Sequence, residues 1–118
     1  MLNPKKRTSF NDGIIYVYSE NLNETSFSAK KNVKTIDDLT FITKLFYKEE
    51  SKRQQDIVFA DSMGRKLTLK LKTPLIDGIS SNHKVVIGND LYDIFQLDPD
   101  KTNNELYFYL ERVRTIER

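Results

Sequence analysis

Lys66-Leu67-Thr68-Leu69-Lys70-Leu71-Lys72 alternates leucine with polar side chains without interruption. Successive side chains of an extended chain point to opposite faces, so one face of this run is apolar and the other charged. That is the pattern of a half-buried antiparallel strand. The alternation predicts that Leu67, Leu69 and Leu71 face inward while Lys66, Lys70 and Lys72 face out.

The rest of the region Arg65 to Val113 repeats the theme. Lys84 to Ile87 and Leu91 to Leu97 read as strands, separated by Gly88-Asn89-Asp90, residues that tolerate the positive φ of a tight turn. A last strand, Leu106 to Val113, follows the loop Asp98-Pro99-Asp100-Lys101-Thr102-Asn103-Asn104. Upstream, Gly13 to Tyr18 is β-branched and aromatic and apolar on both faces. Thr40 to Lys48 places Phe41, Thr43, Leu45 and Tyr47 on one face and Ile42, Lys44, Phe46 and Lys48 on the other. Thr73-Pro74 ends the alternating strand, since proline cannot donate to a ladder. Leu75 to Asn82 is read as a connecting loop. The expectation is one mainly β domain over residues 1–118, a small antiparallel β-barrel or sandwich of about six strands with long loops.

Three stretches lack strand character. Met1 to Asp12 reads as an irregular basic N-terminal arm with no apolar segment after its charges, unlike a signal peptide. Ser19 to Leu39 is rich in Asn, Ser, Thr and Lys and reads as a long loop, with Lys30, Lys31 and Lys34 solvated. Glu49-Glu50-Ser51-Lys52-Arg53-Gln54-Gln55-Asp56 is polar. Ile57, Val58, Phe59 and Ala60 follow, and Asp61-Ser62-Met63-Gly64 closes the stretch on a glycine. This third stretch is compatible with a short helix over Lys52 to Ala60 capped by Ser51, and equally with an ordered loop.

The residues argue against an enzyme. The chain has one histidine, His83, and no cysteine, so a triad or a metal site would rest on His83 alone, at the entrance of a strand where a solvent-facing side chain is expected. Asp98 and Asp100 flank Pro99 but lack the ligand spacing and closing glutamate of a calcium loop; a turn held by Asx side chains is expected. The 4 glycines are scattered, so no phosphate-binding loop is formed. Glu49-Glu50 and Asp37-Asp38 lie in polar surroundings and read as solvated. No cofactor is expected. With 19 basic and 17 acidic residues, bulk charge does not drive nucleic-acid binding. Tyr107-Phe108-Tyr109 puts aromatics on both faces of the last strand; core on one side and a subunit contact on the other is the expected use, base stacking the alternative. No apolar run approaches the length of a membrane span, and the expectation is a soluble, intracellular protein with no membrane partner.

His83-Lys84-Val85-Val86-Ile87, Tyr92-Asp93-Ile94, Asp98-Pro99-Asp100, Asn104 and Leu106-Tyr107-Phe108-Tyr109-Leu110 resemble the head closure proteins of long-tailed phages and prophages, also called stoppers or head–tail adaptors. The resemblance is strongest over Lys66 to Val113 and weaker at Asn3-Pro4-Lys5 and at the Thr40 to Lys48 strand. Its motif positions are Lys84, Val85, Ile87, Tyr92, Asp93, Ile94, Asp98, Leu106 and Leu110. Ser19 to Leu39 has no counterpart.

The resemblance implies a small β-barrel with long loops that self-associates into a dodecameric ring below the portal and its adaptor ring, closes the DNA-filled head, and offers a surface to tail proteins. It implies a location in the virion neck, reached from the host cytoplasm during assembly. In such proteins the connection between the second and third strands lines and gates the channel, which here is Glu49 to Gly64. The expectation is that this stretch is mobile in a free subunit and ordered in the ring, against a rival in which a helix packs permanently through Ile57 and Phe59. Near-zero net charge suits a channel wall that touches DNA transiently and without specificity. Competing functions are a tail-terminator or tail-completion protein of the same particle and an oligonucleotide-binding β-barrel.

Overall fold

A computed structural model describes residues 9–20 and 36–116. The start of the basic arm, the lysine cluster and most of the expected Ser19 to Leu39 loop lie outside them. Six antiparallel strands form one sheet: β1 (Gly13–Glu20), β2 (Leu39–Glu50), β3 (Leu69–Pro74), β4 (Lys84–Ile87), β5 (Asp90–Asp100) and β6 (Glu105–Thr115). The sheet closes as a barrel in the order β1-β2-β3-β6-β5-β4, with β4 returning to β1. Closure leaves the sheet without an open side along this ring. The only α-helix among the described residues, α1 (Gln54–Ser62), connects β2 to β3.

Period-two alternation explains the interior. Ile15, Val17, Tyr47, Leu71, Val85, Tyr92, Ile94, Leu106, Phe108 and Leu110 fill the barrel, and Phe108, Leu71 and Leu110 are wholly buried. Gly13 sits where a Cβ would lie 2.9 Å from the Tyr47 ring, so a side chain there would collide with this core residue. Gly88 adopts φ 60° in the turn between β4 and β5, whose flanking residues Ile87 and Asp90 pair directly. Asp100 accepts hydrogen bonds from the Asn103 backbone N–H (3.2 Å) and side-chain Nδ2 (2.8 Å). This is the expected Asx-held turn, now between longer strands, because β5 runs on through Asp98 and Pro99.

Two smaller apolar clusters lie outside the barrel. Tyr18, Leu39, Val86, Leu91 and Ile116 form one. Ala60, Leu67, Phe95 and Tyr109 form the other, beneath α1. Bulges sort residues between layers. At Ile94/Gln96 the β5–β6 register shifts, so Phe95 joins the outer cluster while Leu97 returns to the interior. At Val17/Tyr18 the β1–β2 register shifts and leaves Ile42 without an opposite residue.

Several sequence expectations are corrected by this arrangement. Phe41 does not share a face with Thr43, Leu45 and Tyr47: the bulge turns it outward against Tyr16 and Tyr18, with ring centroids 6.4 and 5.7 Å away. Leu69 and Leu71 face inward, but β3 begins only at Leu69, and Leu67 is buried under α1 instead. Lys70 does not face solvent; it is 5% exposed. The bounds of the loop expected over Ser19 to Leu39 also tighten: Ser19 and Glu20 belong to β1, Ile36–Asp38 forms a short 3₁₀ turn and Leu39 opens β2.

Candidate functional site

The stretch Glu49 to Gly64 is not a loop. Glu49 and Glu50 pair with Leu71 and Lys70 as the end of β2. Ser51 does not cap the helix. Arg53 does: its backbone N–H donates to Asp56 Oδ2 (2.9 Å), three residues on, while its carbonyl accepts from the N–H groups of Asp56 and Ile57. At the other end Gly64 takes φ 68°. The Arg65 N–H reaches the Ala60 carbonyl (2.9 Å) and the Gly64 N–H reaches that of Asp61 (3.0 Å). This paired closure is the Schellman arrangement, which glycine adopts without a Cβ penalty.

Only two residues of α1 are buried, Asp56 and Ala60, one turn apart. The rival arrangement, a helix packed through Ile57 and Phe59, is therefore not the one formed: a small side chain and a carboxylate take the buried face. Asp56 Oδ2 lies 2.9 Å from Lys70 Nζ, and both side chains are nearly inaccessible. Burial pushes the Asp56 carboxyl up, but hydrogen bonds from Arg53 and Lys70 outweigh it and hold the group at about 2. Lys70 Nζ also stands over the rings of Tyr109 and Tyr107, 5.3 and 5.6 Å from their centroids. Desolvating a lysine is tolerable here because a carboxylate and two aromatic faces surround it.

Beside this clasp lies an open groove of about 570 Å³, lined by Lys48, Glu49, Glu50, Ser51, Arg53, Lys70, Asp98, Tyr107 and Tyr109. Lys72, on the same outer face, contacts Glu105 (3.5 Å) and Glu50 (3.9 Å) and lies 5.9 Å from the Tyr107 ring. The lysines on the groove floor are thus committed to carboxylates and rings, an arrangement that holds strands and helix together. Tyr109 is buried under α1 and Tyr107 is engaged by both lysines. On the outer side of β6, Tyr109 packs against Ala60 of the chain's own helix, while half-buried Tyr107 lines the groove beside it.

The outward side of α1 carries an apolar group, with Met63 just past its end, among exposed Gln54, Gln55, Asp61 and Ser62. Ile57, Val58, Phe59 and Met63 are 38%, 55%, 41% and 46% exposed. A second apolar surface lies on β2, where Phe41, Ile42 and Phe46 are exposed around Lys44.

The motif positions divide by role. Val85, Tyr92, Ile94, Leu106 and Leu110 are barrel interior, and Ile87 packs against them. Lys84 pairs with Asp93 and Glu20, and Asp93 also receives Arg65, which in turn meets Glu111 at 2.6 Å. Asp98 sits at the groove margin. This set builds the barrel and, Asp98 aside, does not converge with Glu49 to Gly64. His83 is half-buried, and its Nδ1 accepts the Ser80 backbone N–H (3.1 Å), so the ring braces the turn before β4. Among the described residues no group of three or more His, Cys, Asp or Glu side chains could hold a metal ion, and no helix is long and apolar enough to cross a membrane.

Sequence reasoning misses the Asp56–Lys70 clasp. Its one signal is the Asp56/Ala60 spacing, which puts a short acidic and a small residue on the same helix face. No protein-family model matches the chain, and no curated protein matches it in sequence.

Proposed function

We propose that this protein is a structural, ring-forming subunit of a phage head–tail connector, closing the DNA-filled head below the portal and adaptor ring and presenting a surface to tail proteins. The observation that carries the reading is the connection between β2 and β3. It holds to the barrel through Asp56 and Ala60 and turns Ile57, Val58, Phe59 and Met63 outward. Exposed apolar clusters of this kind mark contact surfaces on small domains. The connection also corresponds to the channel-gating segment implied by the resemblance of Lys84 to Leu110 to head closure proteins. A dodecameric ring in the virion neck would repeat this connection around one axis, its outward apolar residues meeting the next subunit and so closing the ring around the path of DNA.

The test leaves Asp56 and Ala60 in place and replaces the outward residues, as Ile57→Ser, Val58→Ser and Phe59→Ser together. The variant is expected to fold, and heads carrying it are expected to package DNA and then leak it. Full infectivity with retained DNA would remove α1 from the gate. Incubating the purified protein with DNA-filled heads and with isolated tails separates this function from a tail-terminator, which would bind tails alone.

A further inference from the structure

We infer that copies of this chain join head to tail, the β1–β2 face of one seated on the outer face of α1 of the next. The inference deepens the ring-forming reading by naming the two surfaces and their polarity. It starts from two separate exposed apolar patches on one small barrel, Phe41 and Phe46 on β2 and Val58 and Phe59 on α1. The charges exposed on the two patches are opposite in sign: Lys44 and Lys48 on β2, the latter 3.8 Å from Glu50, and Asp61 on α1. Lys44 lies between Phe41 and Phe46 on the strand and has no ion pair among the described residues. Helix α1 has only two charged side chains. Asp56 is buried against Lys70, which leaves Asp61 exposed near the C-terminal end, where the helix carbonyls add negative partial charge.

This distribution selects among modes of self-association. A two-fold contact through the β2 patch sets Lys44 against its own copy. A two-fold contact through α1 does the same with Asp61 and the negative helix end. Like charges across an interface oppose association, whereas joining the two different patches sets Lys44 against Asp61 between apolar surfaces. A contact between unlike faces leaves each copy with one used and one unused face, so it repeats and closes as a ring or extends as a filament.

Charge reversal tests this. Lys44→Glu and Asp61→Lys both change exposed side chains, and thermal unfolding of each variant checks that the fold is unaltered. Sedimentation up to millimolar concentration is expected to show wild-type species larger than dimers. Each single variant should associate roughly tenfold more weakly or worse, and an equimolar mixture of the two should recover the wild-type behaviour, because each supplies the charge the other needs. A wild-type protein that stays monomeric, or that stops at a dimer, overturns the inference. So do single variants that associate like wild type, or a mixture that stays dissociated. Binding to DNA-filled heads is read separately. Swap-dependent assembly without head binding refutes the connector reading alone, and head binding with association indifferent to the swap refutes this interface alone.

Discussion

On the wall formed by β3, β6 and β5 a lysine is buried; on the wall formed by β1 and β2 phenylalanines are exposed. Both walls turn basic side chains away from the interior, Lys70 and Lys72 on one and Lys44 on the other. The difference is the layer outside the barrel. Helix α1 covers the first wall and delivers Asp56 to Lys70 at 2.9 Å, so the ammonium is buried with a partner. Among the described residues nothing comparable covers β2, and Phe46 remains 59% exposed. Alternation therefore decides which side chains point into a barrel. Whether the outward ones meet water depends on what the connections place over them.

Both walls share one core, and the largest loss of stability is expected there. Phe108 is fully buried and belongs to the interior cluster with residues of β1, β2, β3 and β5. Phe108→Ala should cost about 4 kcal/mol, from lost transfer energy and the cavity left behind. Denaturant unfolding measures it. A loss under about 1 kcal/mol would mean that the interior collapses readily and is not the common support of the two walls.

The covered wall alone is broken by Asp56→Ala. This leaves Lys70 buried without its carboxylate and removes the helix-start contact to the Arg53 N–H, and should cost about 3 kcal/mol. Replacing the pair together, as Asp56→Leu with Lys70→Met, should recover most of that loss, because both desolvation penalties disappear. A double-mutant cycle that shows no coupling would mean that α1 is held by Ala60 and its neighbours without the clasp.

Acid sharpens the same point. Asp56 is held at about 2, below the ordinary 3.8, so the folded state favours its ionised form. Its contribution is complete above the ordinary carboxylate range and is lost as pH falls through the folded value, about 2 kcal/mol in all. The stability difference between wild type and Asp56→Asn should be constant near neutral pH and shrink by that amount on acidification. A difference independent of pH would show that the carboxylate is not specifically stabilised by Arg53 and Lys70.

Much of this division is legible in the sequence, and the illegible parts have identifiable causes. The six strands follow from period-two runs and turn residues, and Gly64 marks the helix end because a positive φ suits glycine there. Lys70 reads as solvent-facing because its partner comes from a helix 14 positions earlier, and no local pattern reports on that docking. Phe41 reads onto the wrong face because one unpaired residue, Ile42, inverts the alternation, and bulges leave little trace in composition. At the candidate site, the apolar group Ile57 to Phe59 is visible in the sequence. Its outward direction is not, since that depends on Asp56 and Ala60 taking the buried face.

The smallest expected effect falls on the uncovered wall. Phe46→Thr keeps a strand-compatible, β-branched residue while removing the exposed ring. With 59% of Phe46 exposed, little apolar surface returns to water on substitution, so stability of the isolated chain should change by no more than about 0.5 kcal/mol. The same change removes half of the phenylalanine pair that flanks Lys44, so it should weaken association between copies while leaving unfolding untouched. A monomer destabilised by more than about 1 kcal/mol would mean that Phe46 is packed within its own chain. The two walls would then differ in how they are covered, and the β2 face would lose its claim as a surface for a neighbour.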